Sequence, residues 1–290
     1  MQNEPIAWVD PHIHFFALNE GDYHWLKPAN PPMWADKSHI AKPHYERDLV
    51  SHSKNSLAGF VHIEAGYDNA HPWREVQFLE KHCTKPFRAV AGIDLLSSNA
   101  ASHINTLASM KSVSGLRHIL DEDALFILQH PKALWCFSHM SAMGLSFDVQ
   151  ADMSCAKTVN ILLRILARNP SLKMTVNHSA VTPQDTTSLA FFTWRKNIKL
   201  LGSTGQVAFK FSGLEMQDRV WSWQTALRRF DVLMSEVGED AIMFASNYPL
   251  CTWRMPYSQL WRGYERLTKG LTTQAQQKLC LQNALIWYRF

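Results

Sequence analysis

His12 and His14, in VDPHIH, stand two residues apart, and residues at i and i+2 of a strand share one face. Two imidazoles so placed can converge on one atom: a metal ion, a water molecule or a substrate oxygen. A lone His-x-His is weak evidence. Other apolar runs carry comparable groups at or near their ends. VHIEA carries His62 and Glu64, LRHIL carries Arg117 and His118, and VNHSA carries His178. Asp148 lies in SFDVQ and Lys210 in FKFSG. Taken singly, each reads as a hydrogen-bonded structural group. Taken together they read as the rim of a pocket, because strand ends with no task can close with apolar side chains.

His12, His14 and His178 offer three nitrogen ligands to one divalent ion, zinc by ligand type, with water in the fourth position. Such an ion would lower the pKa of that water toward about 7. A second ion usually needs a bridging carboxylate where Arg117 and His118 stand, so a two-metal centre is not expected. A metal-free site, in which the imidazoles hydrogen-bond substrate directly, is the equal alternative.

These groups need elements to hold them. Runs rich in Val, Ile and Phe predict strands at Ile6–Pro11, Leu57–Glu64, Phe87–Ile93, Ser114–Ile119, Gly144–Val149, Leu172–Asn177, Val207–Ser212 and Ala241–Ser246. Helical periodicity predicts Trp73–His82, Ala100–Met110, Lys157–Arg168 and Ser222–Val237, with a closing helix over Thr272–Tyr288 capped by Thr272 or Thr273. Eight strands separated by helix-sized stretches imply a TIM (β/α)8 barrel, one domain over residues 1–290. No GxGxxG follows the first strand, which argues against a doubly wound dinucleotide fold. Polar groups at strand ends then gain weight, since barrel active sites form at the carboxyl ends of the strands.

Phe15–Asp48 is long for a connection in a compact domain, and carries four prolines with Trp25 and Trp34. A loop after strand 1 lies over the mouth, so Trp25 is a candidate substrate contact. A packed excursion covering the barrel is the equal reading. Trp253 and Arg254, after strand 8, would flank the mouth; Met140 and Met143 read as core fillers.

Composition narrows the function classes. Hydrophobic residues make up 46% of the chain and charged ones 19%, enough for a large core without an uncharged run of membrane-spanning length. Five cysteines, widely spaced and without a CxxC pair, suit a reducing cytoplasm rather than a disulfide framework. The beginning shows no secretory leader. A net charge of +4 without a basic stripe argues against nucleic acid. The expected partner is a small molecule, anionic or a lactone, with homo-oligomerisation left open.

The first strand with HFFALNEGDYHWL, then VHIEAGYDNAHPWREVQFLE, GLRHIL, VNHSAV, FKFSGL, FASNYPLC and LQNALIWYRF, resembles in order the amidohydrolase-related family over Val9 to Phe290. Within it the sequence is most similar to sugar-acid lactonases such as L-fuconolactonase and L-rhamnonolactonase, and to pyrone dicarboxylate lactonase. The resemblance implies a TIM-barrel hydrolase, with metal dependence that varies among these lactonases. It also implies an aspartate at the tip of strand 8, where this chain has Asn247, and one before the strand-6 histidine, where it has Asn177. Only a carboxylate can take a proton from water near neutral pH, and general-base help is typically worth about 10²–10⁴ in rate.

Three readings follow. In the first, a lactone hydrolase uses His178 and Asn247 with a relocated base, Glu64, Asp148 or His118, while Arg117 and Lys210 hold substrate and Asp148 and Trp25 line its pocket. Restoring the carboxylate by Asn247→Asp should then raise turnover. In the second, the chain is a non-catalytic binder. In the third, it is a metal-dependent decarboxylase of the wider superfamily, which Asn247 weakens equally.

Overall fold

The computed structural model describes residues 7–50 and 57–290. Its eight strands are β1 (Trp8–Ile13), β2 (Leu57–Ile63), β3 (Phe87–Gly92), β4 (Val113–Ile119), β5 (Ser146–Gln150), β6 (Met174–Val176), β7 (Val207–Phe211) and β8 (Ile242–Phe244). All pair in parallel, in sequence order. Every expected strand is present within two residues of its expected ends. The start expected at Ile6 lies outside the described residues.

The sheet curls into a barrel whose seam lies between β8 and β1. There the Asn247 N–H donates to the His12 carbonyl at 2.9 Å, and the His14 N–H to the Tyr248 carbonyl at 2.7 Å. Asp10 reinforces the join: its Oδ1 accepts the backbone N–H groups of His12 (3.2 Å) and Ser246 (3.0 Å). Burial pushes this carboxyl up to about 6.

Around the sheet run α1 (Glu46–Val50), α2 (Trp73–His82), α3 (Ala100–Ala108), α4 (Ala124–Gln129), α5 (Pro131–Ala142) and α6 (Ala156–Arg168). They are followed by α7 (Leu189–Gly202), α8 (Leu214–Gln217), α9 (Trp223–Val237), α10 (Tyr257–Leu267), α11 (Thr273–Gln277) and α12 (Asn283–Tyr288). Six of these helices were not expected: α1, α4 and α8 are too short to show a period, and α5, α7 and α10 also escaped. Their aromatic residues, such as Phe191, Phe192 and Trp194, read equally well as strand formers, and tertiary burial decides. Met140 fills the core, whereas Met143 is 45% exposed and fills nothing.

The closing helix is as expected in extent but is broken by a π turn over Lys278–Gln282. Thr272 caps it by accepting the Ala275 N–H at 3.1 Å. Its last turns plug the amino end of the barrel, where Ala284 and Tyr288 pack on Val9, Val61, Ile63, Val90, Ala208 and Met243. The Phe15–Asp48 segment is the packed excursion: Phe15, Phe16, Tyr23, Leu26 and Ile40 are buried, and Phe16 bridges His44 antiparallel.

Candidate active site

Strand alternation decides which side chains enter the barrel. In β7, Phe209 and Phe211 face the outer core and Ala208 the inner one, so Lys210 points inward. Phe147 and Val149 likewise leave Asp148 inside β5. The two meet across β6, with Lys210 Nζ 2.5 Å from Asp148 Oδ2, both fully buried. From the floor, the Tyr288 hydroxyl donates to Asp148 Oδ1 at 3.0 Å. Burial pulls Lys210 down to about 8 against the opposing pull of Asp148, so it carries its proton at pH 7.

That ammonium can only donate, and it faces His12 Nδ1 at 3.2 Å. His12 therefore carries its own hydrogen on Nε2, which lies 3.2 Å from His14 Nε2. His14 in turn donates from Nδ1 to the Ile63 carbonyl at 2.8 Å. A directional chain thus runs from Lys210 through His12 to His14, and beneath it Asp148 accepts from both Lys210 and Tyr288. Burial holds both histidines well below the usual imidazole value, with Lys210 adding to the shift at His12 and Arg117 at His14.

His178 leaves β6 through four consecutive residues with positive φ, His178 to Val181 at 52–59°. Its ring lies 4.7 Å from that of His12, and its Nδ1 is 3.3 Å from Ser212 Oγ. Gly213, at φ +69°, makes this approach possible, since a Cβ there would lie 2.4 Å from His178 Nδ1. Burial lowers the His178 pKa to about 3, so the ring is neutral. The preceding Asn177 is buried with neither side-chain polar atom partnered.

The three expected alternative bases are all engaged. Glu64 binds Arg117 at 2.8 Å, and Arg117 also holds the Glu64 carbonyl at 2.9 Å and Gln150 Oε1 at 3.1 Å. Asp148 is sealed between Lys210 and Tyr288, so its direct contact with substrate is replaced by support of Lys210. His118 Nδ1 accepts the Leu95 N–H at 3.1 Å. Lys210 itself is fully buried beneath His12 and reaches the site only through it.

A carboxyl that sequence reasoning missed stands at the strand-8 tip. Glu215, in α8, accepts from Asn247 Nδ2 at 2.6 Å, and both residues are buried. Burial pushes the Glu215 carboxyl up to about 7. Asn247 Oδ1 is buried without a partner. The only sequence signal was an acid just beyond the glycine that ends FKFSG.

An aromatic row borders the β8–β1 side: Phe16 lies 5.6 Å from Trp25, Trp25 lies 6.2 Å from Trp34, and Trp34 lies 5.2 Å from Trp253. Arg219 stacks on Trp253 at 3.8 Å. Trp25 Nε1 is spent on the Ala65 carbonyl at 2.8 Å, so only its ring is available. Over the ends of β2 to β4 opens a cavity of about 650 Å³, lined by Glu64, Asp68, Asp94, Asp123 and Arg117, with His118 beside them and Glu75 kept protonated by burial. Glu64 neutralises Arg117 and Arg74 pairs with Asp68 at 2.6 Å, which leaves Asp94 and Asp123 to make the wall acidic.

Two imidazole nitrogens 3.2 Å apart suit adjacent corners of a tetrahedral zinc site, where the separation is about 3.3 Å. The rest of the arrangement does not fit an ion. A metal-bound His12 must donate from Nδ1 to an acceptor, and it faces an ammonium instead. Among the described residues no three His, Cys, Asp or Glu side chains are grouped to hold a metal. The expected His12, His14 and His178 ligand set is thus incomplete in this arrangement.

A family model described as Amidohydrolase matches residues 9–290. An uncharacterised protein of Sinorhizobium fredii, y4mH, is 26% identical over 298 residues, covering 98% of this chain and 99% of that protein. An amidohydrolase of Burkholderia multivorans superposes with a TM-score of 0.81 in a HEPES-bound form, 19% identical over 98% of this chain and 99% of that one. A second crystal form of it contains zinc. A probable 2-pyrone-4,6-dicarboxylic acid hydrolase of Acinetobacter baumannii with bound citric acid superposes at 0.69, 15% identical, covering 98% of this chain and 100% of that one. At these identities the structural likenesses carry the fold.

Proposed function

Because the chain belongs to the amidohydrolase family, which matches all but its first eight residues, we propose that it is a cytoplasmic hydrolase opening a neutral sugar-acid lactone by water attack. The observation that carries the substrate class is the acidic cavity over the ends of β2 to β4, whose Arg117 stands close enough to His14 to lower its pKa. A hydroxyl-rich neutral lactone can donate to Asp94, Asp123 and Glu64, whereas a dicarboxylate would meet uncompensated negative charge. The same charge weighs against the decarboxylase, whose substrate must be a carboxylate.

In this reading Arg117, held rigid by Glu64 and Gln150, and His118 polarise the lactone carbonyl. His178, half-buried and neutral, takes the proton of the attacking water and returns it to the ring oxygen as the acyl–oxygen bond breaks. Asn247 Oδ1 accepts a hydrogen bond from that water. The stack of Lys210 on Asp148 fixes His12 and His14 behind it, and Trp25 walls the mouth. The Burkholderia relative has a zinc-bound form, but no step here runs through a metal, because Lys210 occupies the side of His12 where a zinc ligand needs an acceptor.

One observation favours a second reading, the non-catalytic binder: each alternative carboxylate or imidazole base is already engaged. The test is proton release in weak buffer from a panel of sugar-acid lactones, with and without added zinc or chelator. Acidification above the spontaneous rate, insensitive to zinc, is expected, with dicarboxylated lactones slower. Silence across the panel would make the binder the better account. Strict activation by zinc would reinstate the three-histidine centre.

A further inference from the structure

The Asn247–Glu215 contact has a directional content that neither residue has alone. In this contact Glu215 accepts from Nδ2, and in the carboxylate form it takes above about pH 7 it can only accept, which selects the amide orientation with Nδ2 toward Glu215. The opposite end of the amide, Oδ1, is then committed to the other side, where it is buried and without a partner. The backbone fixes the rest: Asn247 is held at φ 60°, with its N–H on the His12 carbonyl. Free rotation of the amide would present either a donor or an acceptor to the site. Water attack needs the acceptor.

We propose that Glu215 is a positioning residue that locks the Asn247 amide with its oxygen toward the imidazole cluster. An uncharged side chain thereby keeps the hydrogen-bond acceptor of a strand-8 carboxylate, and the negative charge is moved one residue outward, onto a different element. The inference rests on the hydrolase reading for its use in turnover, and on geometry alone for the orientation. It also alters the expectation for Asn247→Asp. A carboxyl at 247 within 2.6 Å of the Glu215 carboxyl shares one proton with it. The shared proton cancels the added charge, so the single variant gains little.

The pair is tested by Glu215→Gln, Asn247→Asp and the double variant. In Glu215→Gln two amides face each other and can pair in either sense, so the acceptor is lost part of the time. The expected result is a kcat at least about threefold lower with KM within about twofold of wild type. Adding Asn247→Asp to that background leaves only one pairing, glutamine donating to carboxylate, and restores the acceptor. The double variant is expected to recover wild-type kcat or exceed it, which a merely structural role for Glu215 would not produce. A Glu215→Gln enzyme as active as wild type, or a double variant no better than Glu215→Gln, overturns the proposal.

The side-chain amide resonance of Asn247, assigned by its disappearance in Asn247→Asp, reads the orientation without turnover. It should shift or split in Glu215→Gln. An unchanged resonance rejects the lock even if lactones are hydrolysed, whereas a changed one with no lactone turned over leaves the lock standing and removes the hydrolase reading.

Discussion

Lys210 shows how one residue can matter to a site it does not touch. It sits at the centre of a buried hydrogen-bonded chain, and its charge dictates the tautomer of His12. Asp148 and Tyr288 are there to keep it charged. Lys210→Met should therefore cost about 3–5 kcal/mol of stability, because it strands the Asp148 carboxylate in the barrel. Adding Asp148→Asn should return part of that loss. Denaturant unfolding of the two variants measures both, and a Lys210→Met penalty below about 1 kcal/mol would mean that the ion pair is not formed as described. The histidines of this chain were legible from spacing, since alternation along a strand needs no tertiary information. Glu215 was not: it follows the strand in a short helix, and only the fold reveals that its carboxyl meets Asn247. Glu64 and Asp148 were legible as pocket residues but not as counter-ions, because sequence does not say which cation each will find.

At the scale of elements, the strands were read to within two residues because each is a short run rich in Val, Ile, Leu and Phe. The few polar groups of each stand at positions that alternation turns into the barrel. Six helices escaped, three because they are too short to show a period and three because their aromatic residues read equally well as strand formers. The turn between β7 and α8 has a sharper sequence logic. Gly213 is required twice, by a positive φ and by the His178 ring packed against its Cα. Gly213→Ala should lower both melting temperature and turnover, the backbone cost alone being about 1–2 kcal/mol. The displaced ring should make the fall in turnover exceed what lost folded protein explains. Normal activity at normal stability would place His178 elsewhere.

For the whole molecule, the buried titratable groups set a pH range. Burial raises Glu75 to about 8 and Glu215 to about 7, from an ordinary carboxyl value of 4.5. The folded chain holds those protons where the unfolded chain releases them, so stability falls as pH rises from 4.5 through these values. Burial lowers His44 to about 4 and both His62 and His178 to about 3, from 6.5, and pushes His12 and His14 the same way. There the unfolded chain takes up protons first, and stability falls as pH drops from 6.5 through those values. Above 6.5 the carboxyl effect acts alone, and below 4.5 the imidazole effect does. Melting temperature scanned from pH 4 to 8 should peak at about pH 6–7 and decline toward 8. A steady rise to pH 8 would show those carboxyls to be solvated or paired.

The barrel is joined by two backbone bonds and the Asp10 carboxylate, at the same few residues that carry His12, His14 and Asn247. In the proposed hydrolase, breathing at that suture cannot leave the chemistry untouched, for the two lips of the opening carry the two halves of the proposed site. On that reading, the hinge of any opening and the seat of the reaction coincide.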